Sequence, residues 1–181
     1  MCESTKTMNG RTGGGSERDA SRAPASPKER ARSAGLRMLA LRSRTEGEVR
    51  RRLEDRGFDV PCIDETVAWL KSLGYLDDRA YAQRYVEART KSKPMGPGRI
   101  ALELRRKGID GKTAEEALEA IGPAEELELA RRAAQEWVRR NAGGDPGRAF
   151  RRLVAHLGRR GFSPDAIRRA AREALSRDAD L

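Results

Sequence analysis

One unit is written three times in this chain, and that repetition limits the possible fold more than any other feature. Place Gly57, Gly108 and Gly161 in register. Val49, Ile100 and Leu153 then align two helical turns before the glycine, Leu53, Leu104 and Leu157 one turn before it, and Phe58, Ile109 and Phe162 directly after it. The copies lie roughly 50 residues apart, the spacing of a repeated supersecondary unit. Apolar residues at i and i+4 share one face of a helix, and a glycine one turn later supplies the left-handed residue that ends it. Each copy therefore predicts a helix, a tight turn and an apolar residue that starts the next element.

The match extends to both sides of the turn. Ile63, Val67 and Leu70 recur as Ala114, Leu118 and Ile121, while the third copy keeps Ile167 and Ala171 and slips by one to Leu175. Offsets of four and three are helical, so a second helix follows each glycine. A third precedes the unit in each copy: Pro27 to Ser43 with Leu36, Leu39 and Ala40, then a helix to about Thr90 with Tyr81, Tyr85 and Val86, then Pro123 through Trp137 with Leu127, Ala130 and Ala134. The expected fold is all-α, made of tandem three-helix repeats, with about nine helices in an elongated, curved array. The repeats are expected at residues 28–74, 75–122 and 123–181. Residues 1–27 mix Gly, Ser, Thr, Arg and Pro without hydrophobic periodicity and are expected to form a disordered basic tail.

Local chemistry supports the helix boundaries. Thr45 and Glu48 have the spacing of a capping box, Asp77 or Asp78 suits a helix N-cap, Pro97 suits a first turn, and Ser163-Pro164 caps and starts the last helix. With 36% charged, 37% hydrophobic and only 4% aromatic residues, the chain suits slim helical layers better than one large core. Its formal net charge of +10 favours nucleic acid, an acidic protein or an anionic membrane surface as partner. No apolar run approaches the roughly 20 residues that span a bilayer, and the N-terminus lacks the apolar core of a secretory signal. Cys2 and Cys62 sit in different contexts, so a reducing, cytoplasmic location is expected.

No reaction centre is legible. Gly111-Lys112-Thr113 resembles the end of a P-loop, but Arg106 occupies the place of its first glycine and no strand precedes it. His156 is the sole histidine, so neither a histidine-based metal cluster nor a Ser-His-Asp triad can be assembled. Cys62 reads as a small packing residue, and no catalytic, cofactor-binding or metal-ligating residue is expected. The cations are more patterned. The candidate partner-binding or DNA-binding residues are Arg51, Arg52 and Arg56 in the first copy and Arg99, Arg105, Arg106 and Lys107 in the second. Arg151, Arg152, Arg159 and Arg160 follow in the third. With Val49, Leu53 and their equivalents inward, Arg51, Arg105 and Arg151 point away from the core, and so does Leu102.

Assembled in this way, the chain resembles the RecX family of bacterial RecA regulators. The resemblance runs from about Ala34 to Leu175. It is carried by Ser43 to Val49, by Gly74-Tyr75-Leu76-Asp77-Asp78-Arg79-Ala80-Tyr81-Ala82, and by Gly98 to Ile109, with Arg159-Arg160-Gly161-Phe162 as the weaker third turn. It implies tandem three-helix repeats that bind in the groove of a RecA nucleoprotein filament and modulate ATP hydrolysis, strand exchange and repressor cleavage. Direct DNA contact without RecA is the alternative. The expected protein is a monomer with no cofactor and no membrane association.

Overall fold

Each helix begins where a side chain or a proline can deal with the unpaired N–H groups of a first turn. The computed structural model describes residues 25–141 and 145–179, with side chains through Ser176. Among the described residues there are nine helices and no strand. They are α1 (Pro27–Leu41), α2 (Glu46–Glu54), α3 (Val60–Ser72), α4 (Asp78–Ser92), α5 (Pro97–Arg106), α6 (Gly111–Leu118), α7 (Pro123–Arg140), α8 (Pro146–Arg159) and α9 (Pro164–Ala179). Ser26 forms a full capping box with Glu29 at the start of α1. Thr45, Asp59, Asp77, Asp110 and Asp145 each accept a backbone N–H at the start of the following helix. Gly96 and Gly122 offer no side-chain cap, and there proline opens the helix. The tail expectation for residues 1–24, and part of the expected loop at residues 142–144, lie outside the described residues.

The three repeat glycines adopt the same left-handed backbone, with φ of 79° at Gly57, 88° at Gly108 and 78° at Gly161. The hydrogen bonds around them are also the same. Phe58, Ile109 and Phe162 donate back to the carbonyls of Leu53, Leu104 and Leu157, while the glycine N–H donates to Glu54, Arg105 and Gly158. This pair of hydrogen bonds closes a helix and sends the chain off at an angle. The residue after each glycine then reaches its core: Ile109 and Phe162 are buried and Phe58 is half-buried.

Three separate cores result. Val49 and Leu53 pack with Ala31, Ala34, Met38, Ile63, Val67, Leu70 and Leu76. Ile100 and Leu104 pack with Ala82, Val86, Ile109, Ala114 and Ala117. Leu153 and Leu157 pack with Leu127, Ala130, Ala134, Trp137, Phe162, Ile167 and Ala171. Within each set the first and third helices pack together and the middle helix closes against both. In α6 the structure buries Ala117 fully and Leu118 only partly, so the inward face is rotated slightly from the expected one.

The repeats meet end to end through their middle helices. The first turn of α2 sits on the closing turn of α5: the Thr45 hydroxyl donates to the Lys107 carbonyl, and the Arg51 guanidinium reaches the Arg106 carbonyl at 3.1 Å. Gly47 lies so close to Gly108 that a Cβ on Gly47 would stand 2.8 Å from the Gly108 Cα. The next joint repeats the geometry. Gly96 N–H donates to the Arg160 carbonyl at 2.8 Å and Gly98 N–H to the Gly161 carbonyl at 3.1 Å, so the first turn of α5 sits on the closing turn of α8. A positive helix start thus meets a negative helix end twice, and each side satisfies the other's unpaired backbone groups. At 1.5 Å per residue the three middle helices give a contour of about 50 Å.

Two outcomes test this construction. Leu104→Ala, at a fully buried position of the middle core, is expected to cost about 2–5 kcal/mol in urea denaturation. Gly47→Ala is expected to leave helical circular dichroism intact while opening the first joint, so that tryptic cleavage after the buried Arg44 accelerates several-fold.

Candidate functional site

The cations picked out by the repeat pattern separate into two groups. Arg51, Arg52, Arg56, Arg105, Arg106, Arg151, Arg152 and Arg159 are exposed along α2, α5, α8 and their closing turns. Arg99, Lys107 and Arg160 are half-buried; Lys107 and Arg160 turn inward to the joints, and Arg99 turns to Glu103 of its own helix. Of the exposed members only Arg105 has an acidic partner among the described residues, Glu115 at 3.8 Å; Arg152 instead stacks over the Trp137 ring at 5.7 Å. Because the middle helices lie end to end, the exposed group follows one path across all three repeats. Leu102 shares the outward side of α5 and is exposed.

The inward cations do different work. Lys107 donates to Glu48 at 3.0 Å across the first joint and lies 5.6 Å from the ring centres of both Tyr81 and Tyr85. Burial works against its ammonium, but Tyr81 and Glu48 outweigh it and raise its pKa. Burial likewise pushes the Glu48 carboxyl upward, and the Lys107 ammonium more than reverses this, leaving it below the ordinary carboxylate range. The Thr45–Glu48 capping box consequently forms by half. Thr45 accepts the Glu48 N–H, but the Glu48 carboxylate is held by Lys107 instead of returning to the cap.

A polar network carries on from there towards the second joint. The Tyr85 hydroxyl donates to Glu103 at 2.7 Å, Arg89 stands over the Tyr85 ring at 4.8 Å, and Arg89 and Arg99 both pair with Glu103. Burial raises the Glu103 carboxyl, but these donors bring it below its usual range. At the second joint Arg160 donates to the Pro94 carbonyl at 3.0 Å. Sequence reasoning took Tyr81 and Tyr85 only as an apolar face and gave no role to Arg89 or Glu103. Their one visible signal is polar spacing across α4 and α5, which does not announce a network between helices.

The adjacent aspartates are both caps, on different helices. Asp77 accepts the Ala80 N–H in its own helix at 2.9 Å, while Asp78 accepts the Glu46 N–H at 2.9 Å and so caps α2 of the preceding repeat. Burial raises the Asp78 carboxyl above its ordinary value. His156 rests beside the Trp137 ring at 6.5 Å, its pKa lowered by burial and then by Arg160, Arg159 and Arg140. Cys62 is half-buried against the first core. Among the described residues no group of three or more His, Cys, Asp or Glu is placed to hold a metal ion, and no helix is long and apolar enough to cross a membrane.

Comparison with known proteins gives a consistent picture. Family models described as the first, second and third three-helix domains of RecX match residues 31–70, 77–118 and 124–171. A protein named Regulatory protein RecX from Mycobacterium leprae (strain Br4923) is 35% identical over 140 residues, covering 77% of this chain and 82% of that one. One of the same name from Streptomyces coelicolor is 29% identical over 157 residues, covering 87% and 84%. The crystal structure of RecX from Lactobacillus salivarius superposes with a TM-score of 0.75 at 27% identity, covering 82% of this chain and 96% of that one.

The joint chemistry has a pH signature. Glu48 has a depressed pKa in the folded chain, so its contribution to stability is full above the unfolded carboxyl range near about 4.3 and is lost as pH falls through the folded value. Asp78, raised by burial, runs the other way. Urea midpoints are expected to drop between about pH 5 and pH 3 in the wild type and to drop less in Glu48→Gln. Parallel curves for the two proteins would remove Glu48 from the account.

Proposed function

The chain belongs to the RecX family, and from that premise we propose that it is a non-enzymatic regulator that binds the RecA–DNA filament. Bound there, it restrains ATP hydrolysis, strand exchange and the filament's part in repressor cleavage. Its place is thus in the cytoplasm, in recombinational repair and the SOS response, and it acts as a monomer. Its working units are residues 28–74, 75–122 and 123–181, the first entered through the Ser26-Pro27 start of α1, with the residues before that cap as a basic tail.

The observation that carries this reading is the path of exposed arginines over three end-to-end middle helices: Arg51, Arg52 and Arg56, then Arg105 and Arg106, then Arg151, Arg152 and Arg159. A filament repeats its subunits along an axis, and a modular body of about 50 Å contour spans more than one contact point. Cations spaced along that body meet acidic protein surface or DNA phosphate at successive positions. Holding neighbouring subunits in one geometry opposes the cycling that hydrolysis and growth require, because a ligand shifts a conformational equilibrium by its preference for one state. Lys107 and Arg160 support the surface from within by fixing the joints, while Arg99 pairs with Glu103 along α5.

A second reading, direct DNA binding without RecA, draws on the same cations. Its affinity would fall with salt by a logarithmic slope of about 0.9 per neutralised phosphate on duplex DNA. Affinity for bare DNA and for RecA-coated DNA in one salt series separates the two. RecA ATPase and filament length are the direct readouts. With Arg51, Arg105, Arg106 and Arg151 all changed to Glu, and helicity verified, restraint of strand exchange is expected to be lost; unchanged restraint would sink the proposal.

A further inference from the structure

Two of the three glycine turns are seats. The turn at Gly108 receives the first turn of α2, and the turn at Gly161 receives the first turn of α5. In both, the cation just before the glycine reaches across: Lys107 to the Glu48 carboxylate, Arg160 to the Pro94 carbonyl. In both, a closing carbonyl accepts from the incoming turn, Lys107 from the Thr45 hydroxyl and Arg160 from the Gly96 N–H.

The third turn has the same backbone and no guest among the described residues. A Cβ on Gly57 would meet nothing within 4 Å, and the carbonyls of Arg56 and Gly57 accept from no described residue. The guanidinium of Arg56, the counterpart of Lys107 and Arg160, makes no hydrogen bond or ion pair with the described residues. Beside it lies an open groove of about 740 Å³ between α1 and the Gly57 turn. Its wall presents Arg30, Arg37 and Arg56, together with Arg32, which stacks over the Trp69 ring, against one carboxylate, Glu29 of the α1 cap, with Leu36 and the half-buried Phe58 as apolar floor. Arg56 also stands close enough to Arg44 to work, with Arg42 and Arg52, against its charge, after burial. The end of the array is thus strongly positive and offers unpaired acceptors.

We propose that this end groove is a docking seat for the first turn of a helix on a partner protein, one that carries a carboxylate in that turn. The inner joints define the guest. It brings N–H groups for the carbonyls of Arg56 and Gly57, as Gly96 and Gly98 do for those of Arg160 and Gly161. It brings a carboxylate for Arg56, as Glu48 does for Lys107. Charge disfavours a second copy of this chain in the same role. Its outer middle-helix start, at α8, has one carboxylate, the N-cap Asp145, which is already taken by the Arg148 N–H, and its first turn holds no acidic residue and places Arg148 there.

The seat rests on the proposed role at the RecA–DNA filament, and its test keeps the two apart. Full-length wild type, Arg56→Glu and the double variant Arg37→Glu/Arg56→Glu are compared for binding to RecA-coated DNA. Lys112→Glu, exposed on α6, serves as control, and all four are checked for native circular dichroism. Binding about 10-fold weaker for the groove variants, with the control unchanged, is the expected result. Failure of the wild type to bind overturns the filament reading; wild-type binding matched by both groove variants overturns the seat alone. A photo-crosslinker, p-benzoylphenylalanine in place of Leu36, reads the guest directly. Crosslinks to the acidic first turn of a RecA helix support the seat. Crosslinks only to DNA, to a second copy, or to residues 1–24 of the same chain overturn it.

Discussion

The array depends on a left-handed glycine whose missing side chain does two things at once. It ends a helix by returning two N–H groups to carbonyls already passed, and it leaves the end of that helix bare enough for another helix to land on it. At Gly161 a Cβ would overlap the backbone of Arg99, and at Gly108 it would press on Gly47. Both requirements fall on one residue, so the same position sets the shape of each repeat and the contact between repeats. Packing inside a repeat is otherwise self-contained, since each hydrophobic core draws almost entirely on its own three helices.

Electrostatics follow from this arrangement. Helix ends carry partial charges of opposite sign, and stacking a start on an end lets them offset each other where water is displaced. The side chains elaborate the theme, with Asp78 lending an oxygen to the start of α2 and Lys107 and Glu48 bridging the same joint. Cations used in this way leave the solvent-facing set. What remains outside is a weakly compensated series of guanidinium groups, in a protein whose formal charge is already +10. Placing that series on the middle helices is a matter of geometry, because at both joints the first turn of one middle helix sits on the closing turn of the next.

Much of the fold was legible because its cause is local. Leu53, Leu104 and Leu157 announce buried helix faces by spacing alone, the three glycines announce the stops, and Asp77 announces a start. The joints were not legible, since Thr45 and Lys107, or Pro94 and Arg160, are far apart in sequence and obey no period. For the same reason Lys107 and Arg160 were indistinguishable on paper from Arg52 or Arg106, although two face inward and two face solvent. The Thr45–Glu48 motif shows the limit clearly: its local partner was available, and a distant ammonium took the carboxylate. Asp77 or Asp78 was read as the cap of α4; Asp77 fills that role and Asp78 caps α2 of the preceding repeat.

Separate cores joined at narrow backbone contacts also make the molecule mechanically uneven. Bending a repeat disturbs close-packed aliphatic side chains, whereas changing the angle between repeats disturbs a few hydrogen bonds and a glycine contact. Strain imposed from outside therefore concentrates at two hinges, near Gly47 and Gly96. A body of this kind keeps its three stiff segments while adapting its pitch, so one chain can follow a helical track whose rise per turn is not fixed.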